Sequence, residues 1–204
     1  MHTRSILALI VAAGAACSIE KKQSDATTDT SRAASPTPRA TDTAPTSNTP
    51  STPRPGTSTW TVTANGIGAI RVGMSIRDLR EVAGDVPSAN PTAECSYVRP
   101  GATPPGVLVM LARGQVARVD VDSTGVPSDA GVAVGDSAAR VTAAYAGRVT
   151  STPHKYVPGG QYLTVKPTSP ADSARRMVFE TENGRVTRFR SGRVPEVEWV
   201  ERCG

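Results

Sequence analysis

From Gln23 to Thr59 the chain contains no Val, Ile, Leu, Met, Phe, Tyr or Trp. A segment without large apolar side chains has nothing to bury and cannot offset the conformational entropy lost on folding. In a chain of 204 residues this confines the folded part to about 145, Trp60 to Gly204, enough for one hydrophobic core. Both Trp and both Phe lie in that part. Pro36, Pro38, Pro45, Pro50, Pro53 and Pro55 punctuate the apolar-free stretch, which reads as a tether with a span of roughly 35 Å. No apolar run reaches the ~18 residues of a membrane-spanning helix. With only two His and three Cys, most zinc frameworks and cysteine-dense scaffolds are excluded. No metal and no cofactor is expected.

The first residues read as an address. His2 and Arg4 are basic, Ile6 to Ala13 is apolar, and small residues follow at Gly14, Ala15 and Ala16. This is the layout of a secretory signal peptide. Gly14-Ala15-Ala16-Cys17 resembles the lipobox of bacterial lipoproteins, with Gly14 where that family usually has Leu. The resemblance implies cleavage after Ala16, a signal peptide over 1–16, and lipidation of Cys17. It further implies a lipidated tether over 17–59, because two or more acyl chains anchor a protein stably. Ser18 rather than Asp follows the cysteine, which in Gram-negative lipoproteins points to the outer membrane, facing the periplasm. With Cys17 lipidated, Cys95 and Cys203 are left as an even pair in an oxidising compartment and are expected to form a disulfide.

Within 60–204 one pattern occurs twice. Ile70-Arg71-Val72-Gly73-Met74-Ser75-Ile76 aligns with Val132-Ala133-Val134-Gly135-Asp136-Ser137-Ala138. Ser75 and Ser137 are natural helix N-caps, and Ser75 with Asp78 makes a capping box. Ile76, Leu79 and Ala83 then share a helical face, as do Val141 and Tyr145. Gly84 and Gly147 suit the helix ends. Strand-like segments follow: Cys95–Arg99, Val107–Leu111 and Val116–Val121 after the first helix, Tyr162–Val165, Arg175–Glu180 and Arg185–Arg190 after the second. Arg113-Gly114 and Asn183-Gly184 are turns, the latter a strong hairpin signal. Ala117, Val119 and Val121 are expected on the buried side, Arg118 and Asp120 on the other. Val194–Cys203 reads as a last strand. The expectation is an α+β domain of two tandem repeats, about 66–126 and 127–204, each a short helix followed by antiparallel strands.

The Val-Gly-x-Ser helix start followed by a tyrosine-bearing strand and a hairpin resembles the repeat of β-lactamase inhibitor protein. It is similar also to the small lipoproteins of the outer-membrane protein assembly machinery. Those families share a helix-plus-antiparallel-sheet unit and bind proteins without catalysing reactions. No inhibitory or assembly-contact residue transfers to a position of this chain.

The residues able to carry chemistry are few. His154 is the one histidine after Cys17 and the necessary base of any Ser-His-Asp hydrolase, but no Gly-x-Ser-x-Gly elbow accompanies it. Pro153 to Tyr156 reads better as the entry to a strand. Asp120 and Asp122 lie on one strand face and read as solvated. Arg185, Arg188, Arg190 and Arg193 are the densest basic run and the candidate surface for an anionic lipid or ligand. The domain nevertheless carries 17 Arg plus Lys against 14 Asp plus Glu, a near balance that, without interleaved stacking aromatics, argues against nucleic acid. Tyr97, Tyr156, Tyr162 and Trp199 read as core or as an exposed recognition patch, with core favoured for most of them because the domain has few other large apolar side chains. The sequence thus points to a non-catalytic, lipid-anchored envelope protein that binds a protein partner. An envelope hydrolase using His154 and an anionic-ligand binder using the Arg185–Arg193 hairpin are the alternatives.

Overall fold

Two serines set the helices. Ser75 caps α1 (Ile76–Ala83): its Oγ accepts from the Asp78 N–H, and the Asp78 carboxylate accepts from the Ser75 N–H, both at 3.2 Å. Gly84 ends the helix at φ 75°. Ser137 caps α2 (Ala138–Ala144), accepting from the Arg140 N–H at 3.1 Å. The chain is described by a computed structural model over residues 60–87 and 89–203, within one compact unit. The expected signal peptide, Cys17 and the tether lie outside the described residues.

The strands are β1 (Val62–Thr63), β2 (Gly66–Ile67), β3 (Ile70–Arg71), β4 (Cys95–Val98), β5 (Val107–Ala112), β6 (Gln115–Val121), β7 (Val149–Pro153), β8 (Gln161–Val165), β9 (Arg175–Glu182) and β10 (Arg185–Arg193). β1 to β3 form a small meander. The rest form one antiparallel sheet in the order β4-β5-β6-β10-β9-β8-β7. The architecture is α+β. Turn chemistry fixes the two long hairpins: Arg113-Gly114 and Asn183-Gly184 both adopt positive φ, the geometry that matches strand twist. β6 and β10 meet at the centre of the sheet, with Asp120 opposite Arg190, Val119 opposite Ser191 and Val121 opposite Phe189. Gly192 has a physical reason to lack a side chain, since a Cβ there would stand 2.5 Å from the Ala117 carbonyl oxygen.

Both helices cover the same face of the sheet. Ile76, Leu79, Ala83, Val141 and Tyr145 pack there with Val107, Val109, Leu111, Val119, Val121, Phe179 and Phe189. The two helix starts also dock alike. The Gly73 N–H donates to the Val116 carbonyl at 2.7 Å, and the Gly135 N–H to that of Val186 at 2.8 Å. Val116 returns its N–H to Met74, and Val186 to Asp136, both at 2.8 Å.

Four expectations are corrected. Ala117 does not join Val119 and Val121: a register shift between Met110 and Leu111 turns it to the opposite face, beside Met110 and Ala112. Residues 194–203 are not a strand. Pro195 lacks the N–H a ladder needs, and Glu196–Glu198 is a single 3-10 turn. The segment instead lies across the sheet face opposite the helices, where Val197 packs on Tyr162 and Val178. Arg118 and Asp120 are consequently buried, 2% and 5% exposed, rather than solvated. The edge strand β7 also replaces a strand entry at Pro153. Its Thr150 to Pro153 are exposed, so no apolar alternation marked it.

Candidate functional site

The covered face of the sheet holds four of the five buried charged side chains among the described residues. Arg118 and Asp120 come from β6, Glu180 from β9 and Arg190 from β10, and each is at most 5% exposed. Charges removed from water must be paired and hydrogen-bonded, and here they are. The Arg118 Nε donates to both Asp120 oxygens, at 2.9 and 3.1 Å. The Tyr97 hydroxyl donates to Asp120 at 2.9 Å. Burial, reinforced by the Asp120 charge, raises the Tyr97 phenol well above its ordinary pKa, so it stays a donor. Arg190 pairs with Glu180 through Nη1. Burial, then the nearby Arg118, lowers the Arg190 pKa; the Glu180 and Asp120 carboxylates oppose the shift.

The same arginines hold the segment above them. The Arg118 Nη1 donates to the Trp199 carbonyl at 2.8 Å and that of Glu196 at 3.2 Å. The Arg190 Nε donates to the Val197 carbonyl at 2.6 Å. Glu196, itself 2% exposed, pairs with Arg193 at 3.0 Å, and around the rim Arg176 pairs with Glu198 at 3.2 Å. Lys155 meets Glu201 at 3.0 Å, and Arg202 meets Asp122 at 3.7 Å. Cys95 and Cys203 complete the clamp, at disulfide distance with Cα atoms 5.5 Å apart, inside the usual range. Side-chain donors thus replace the backbone partner that a ladder would have provided.

The clamped segment presents Trp199 outward, and the connection between β7 and β8 brings Tyr156 beside it through Glu201. Three large hydrophobic side chains are exposed among the described residues: Val82, Tyr156 at 57% and Trp199 at 40%. Two of the three converge here. The Tyr156 hydroxyl bonds to Glu201, and the Lys155 ammonium lies 5.0 Å over the Tyr156 ring. Lys155, Trp199, Val200, Glu201 and Arg202 line a surface recess of about 360 Å³. Tyr162 is buried and Tyr97 half-buried, so only half of the aromatic quartet, not most of it, goes into the protein.

The other candidate residues are placed elsewhere or otherwise engaged. Arg185, Arg188, Arg190 and Arg193 do not form one ridge. Arg185 donates to the Gly135 carbonyl at 3.0 Å, Arg188 pairs with Glu180 at 3.2 Å, and the remaining two serve the clamp. The His154 Nδ1 accepts the backbone N–H groups of Tyr156 and Val157, both at 3.1 Å. That tautomer directs Nε2–H toward Glu180, 3.3 Å away, and the ring stacks on Tyr162 at 4.3 Å. Both ring nitrogens are therefore engaged by groups other than a serine. No group of three or more His, Cys, Asp or Glu able to hold a metal occurs among the described residues, and no helix among them is long and apolar enough to cross a membrane.

Sequence reasoning missed the clamp. Its one signal was the pairing of Arg118 and Asp120 on a strand whose other face is core, which is equally the signature of a solvated face.

No protein-family model and no curated protein matches the chain. Among solved structures, it is similar to a Streptococcus mutans protein described as a "putative beta-lactamase inhibitor protein". The two share 13% identity, over 62% of this chain and 85% of the other, with a TM-score of 0.20. Overlap at that level carries no argument.

Proposed function

We propose that the chain is an exported, lipid-anchored and non-catalytic module of the cell envelope that binds a protein partner through the Trp199–Tyr156 face. One observation carries this reading: the exposed Trp199 lines a recess on a segment clamped from beneath, and the exposed Tyr156 bonds to Glu201 of the same recess. Aromatic and arginine side chains supply most binding energy in protein interfaces, provided they are held in place. Trp199 is fixed by its own carbonyl on Arg118, and Tyr156 by Glu201. Little order remains to be imposed on binding.

The domain behind this face reads as two tandem repeats. The paired helix starts, the matching Gly73–Val116 and Gly135–Val186 bonds and the two positive-φ hairpin turns support that reading. The register does too. Shifting β6 by 70 positions maps Val119 onto Phe189 and Val121 onto Ser191. The observed pairs, Val119 with Ser191 and Val121 with Phe189, are then mutual equivalents, as a pseudo-two-fold through Asp120 and Arg190 requires. Placement at the outer membrane, facing the periplasm, rests on Cys17 with Ser18 after it. The tether then sets the reach of the binding face above the lipid.

Two measurements test this. Intact mass spectrometry of the chain from native membranes is expected to give a product beginning at Cys17 with acyl chains attached. An unlipidated mass removes the anchor. A photo-crosslinking residue at position 156 is expected to capture a protein in intact cells, and one at position 77 on α1 is not. Trp199→Ala should abolish that capture while leaving the melting temperature within about 2 °C. Equal capture from both positions would overturn the assignment of the face.

A further inference from the structure

We propose that the cavity between the β1–β2 turn, the end of α2 and the end of β8 binds a small zwitterion of the α-amino-acid class. The cavity lies at the other end of the molecule's chemistry, among residues that the clamped segment does not use. Its volume is about 230 Å³, below the ~300–1,000 Å³ of sites for larger ligands. Asn65, Asp129, Arg148, Val165, Lys166 and Met177 shape it.

One buried side chain arms both walls. Tyr145 is 1% exposed. The Arg148 guanidinium lies over its ring, 5.1 Å from the centroid, and is held also by the Lys166 carbonyl at 3.3 Å. The Tyr145 hydroxyl donates to Asp129 at 2.6 Å. Tyr145 thus positions a cation with its face and an anion with its edge. These two charges do not neutralise each other. Among the described residues Arg148, Lys166 and Asp129 enter no ion pair. Asp172, the remaining acidic lining residue, is taken by Arg175 at 3.1 Å.

A ligand's carboxylate fits Arg148 and Lys166, which offer charge-assisted donors. Its ammonium fits Asp129. A bare anion would face the Asp129 carboxylate, and a bare cation would face two positive groups, so only a molecule carrying both charges suits both walls. Val165 and Met177, each 2% exposed, give the ligand an apolar floor, which favours a short aliphatic side chain.

The test uses the full chain and calorimetric titration with valine, N-acetylvaline, valinamide and isovalerate. Valine is expected to bind, and each analogue lacking one charge to bind at least tenfold more weakly. Asp129→Asn keeps an oxygen for the Tyr145 hydroxyl but removes the charge. It should bring valine down to the level of isovalerate, at an unchanged melting temperature. Arg148→Gln should weaken valine and isovalerate alike. The proposal is overturned if valine shows no heat of binding at 10 mM, if N-acetylvaline matches it, or if Asp129→Asn leaves the preference for valine intact.

Discussion

Asp120→Ala is expected to cost about 3–5 kcal/mol of folding stability, the range for breaking one partner out of a buried ion pair. The substitution removes a single carboxylate from a face that holds two guanidinium groups. Arg118, 2% exposed, then keeps its charge with only the carbonyls of Glu196 and Trp199 as acceptors. The Tyr97 hydroxyl loses its acceptor as well. Arg190 lies directly opposite Asp120 in the sheet, so the loss also leaves two buried arginines facing each other with only Glu180 between them. Denaturant titration measures the effect, and a midpoint unchanged from the parent would show that this face is hydrated rather than covered. The double change Arg118→Met with Asp120→Leu separates charge burial from packing. It should recover most of the loss, because apolar replacement of a whole buried pair is often neutral. In a Trp60→Phe background Trp199 is the remaining tryptophan. Its emission should shift to the red in Asp120→Ala, since the arginine that fixes its carbonyl has lost its counter-ion.

The parts of the fold legible in the sequence are those set by local chemistry. Ser75, Asp78 and Gly84 bracket a helix because caps act over three or four residues. Asn183-Gly184 dictates a hairpin because only certain residues tolerate positive φ at both positions. The alternating valines of β5 and β6 reveal strands because the period of two is intrinsic to the backbone, although both faces of β6 turn out to be buried. What escaped notice depends on what lies above a residue in space. Arg118 and Asp120 look the same whether water or another segment covers them. Residues 194–203 decide the matter, and their apolar positions at Val197 and Trp199 were compatible with a strand. The deciding features were Pro195, which denies the ladder a donor, and Arg118, 78 and 81 positions away in sequence from the two carbonyls it holds. The single shifted residue at Ala117 shows the same limit at small scale, since a bulge reverses facing without changing the composition of a strand.

Replacing both Cys95 and Cys203 by alanine is expected to cost about 5 kcal/mol, the chain-entropy value for a closed loop of this length; the two cysteines are 108 residues apart. Most of that cost arises in the unfolded chain, which gains freedom when the link is absent. The native effect is local, because Cys95 lies on the edge strand β4 and Cys203 follows the clamped segment. Arg118 and Arg190 still hold the carbonyls of 196, 197 and 199, so Trp199 emission in native buffer should change little. Denaturant titration with and without a dithiol reductant gives the same comparison without mutation. A parent protein whose midpoint is insensitive to reductant, and whose mass does not rise by two hydrogens, would contradict the link. Combining this change with Asp120→Ala should cost less than the sum of the two by about 1–3 kcal/mol, the coupling typical of groups that share a partner. Once the end of the segment is free, it can lift and let water reach Arg118, so the unpaired charge is no longer buried at full cost. Strict additivity would mean instead that the arginines alone keep the segment down, and that the cysteine pair acts only on the unfolded chain.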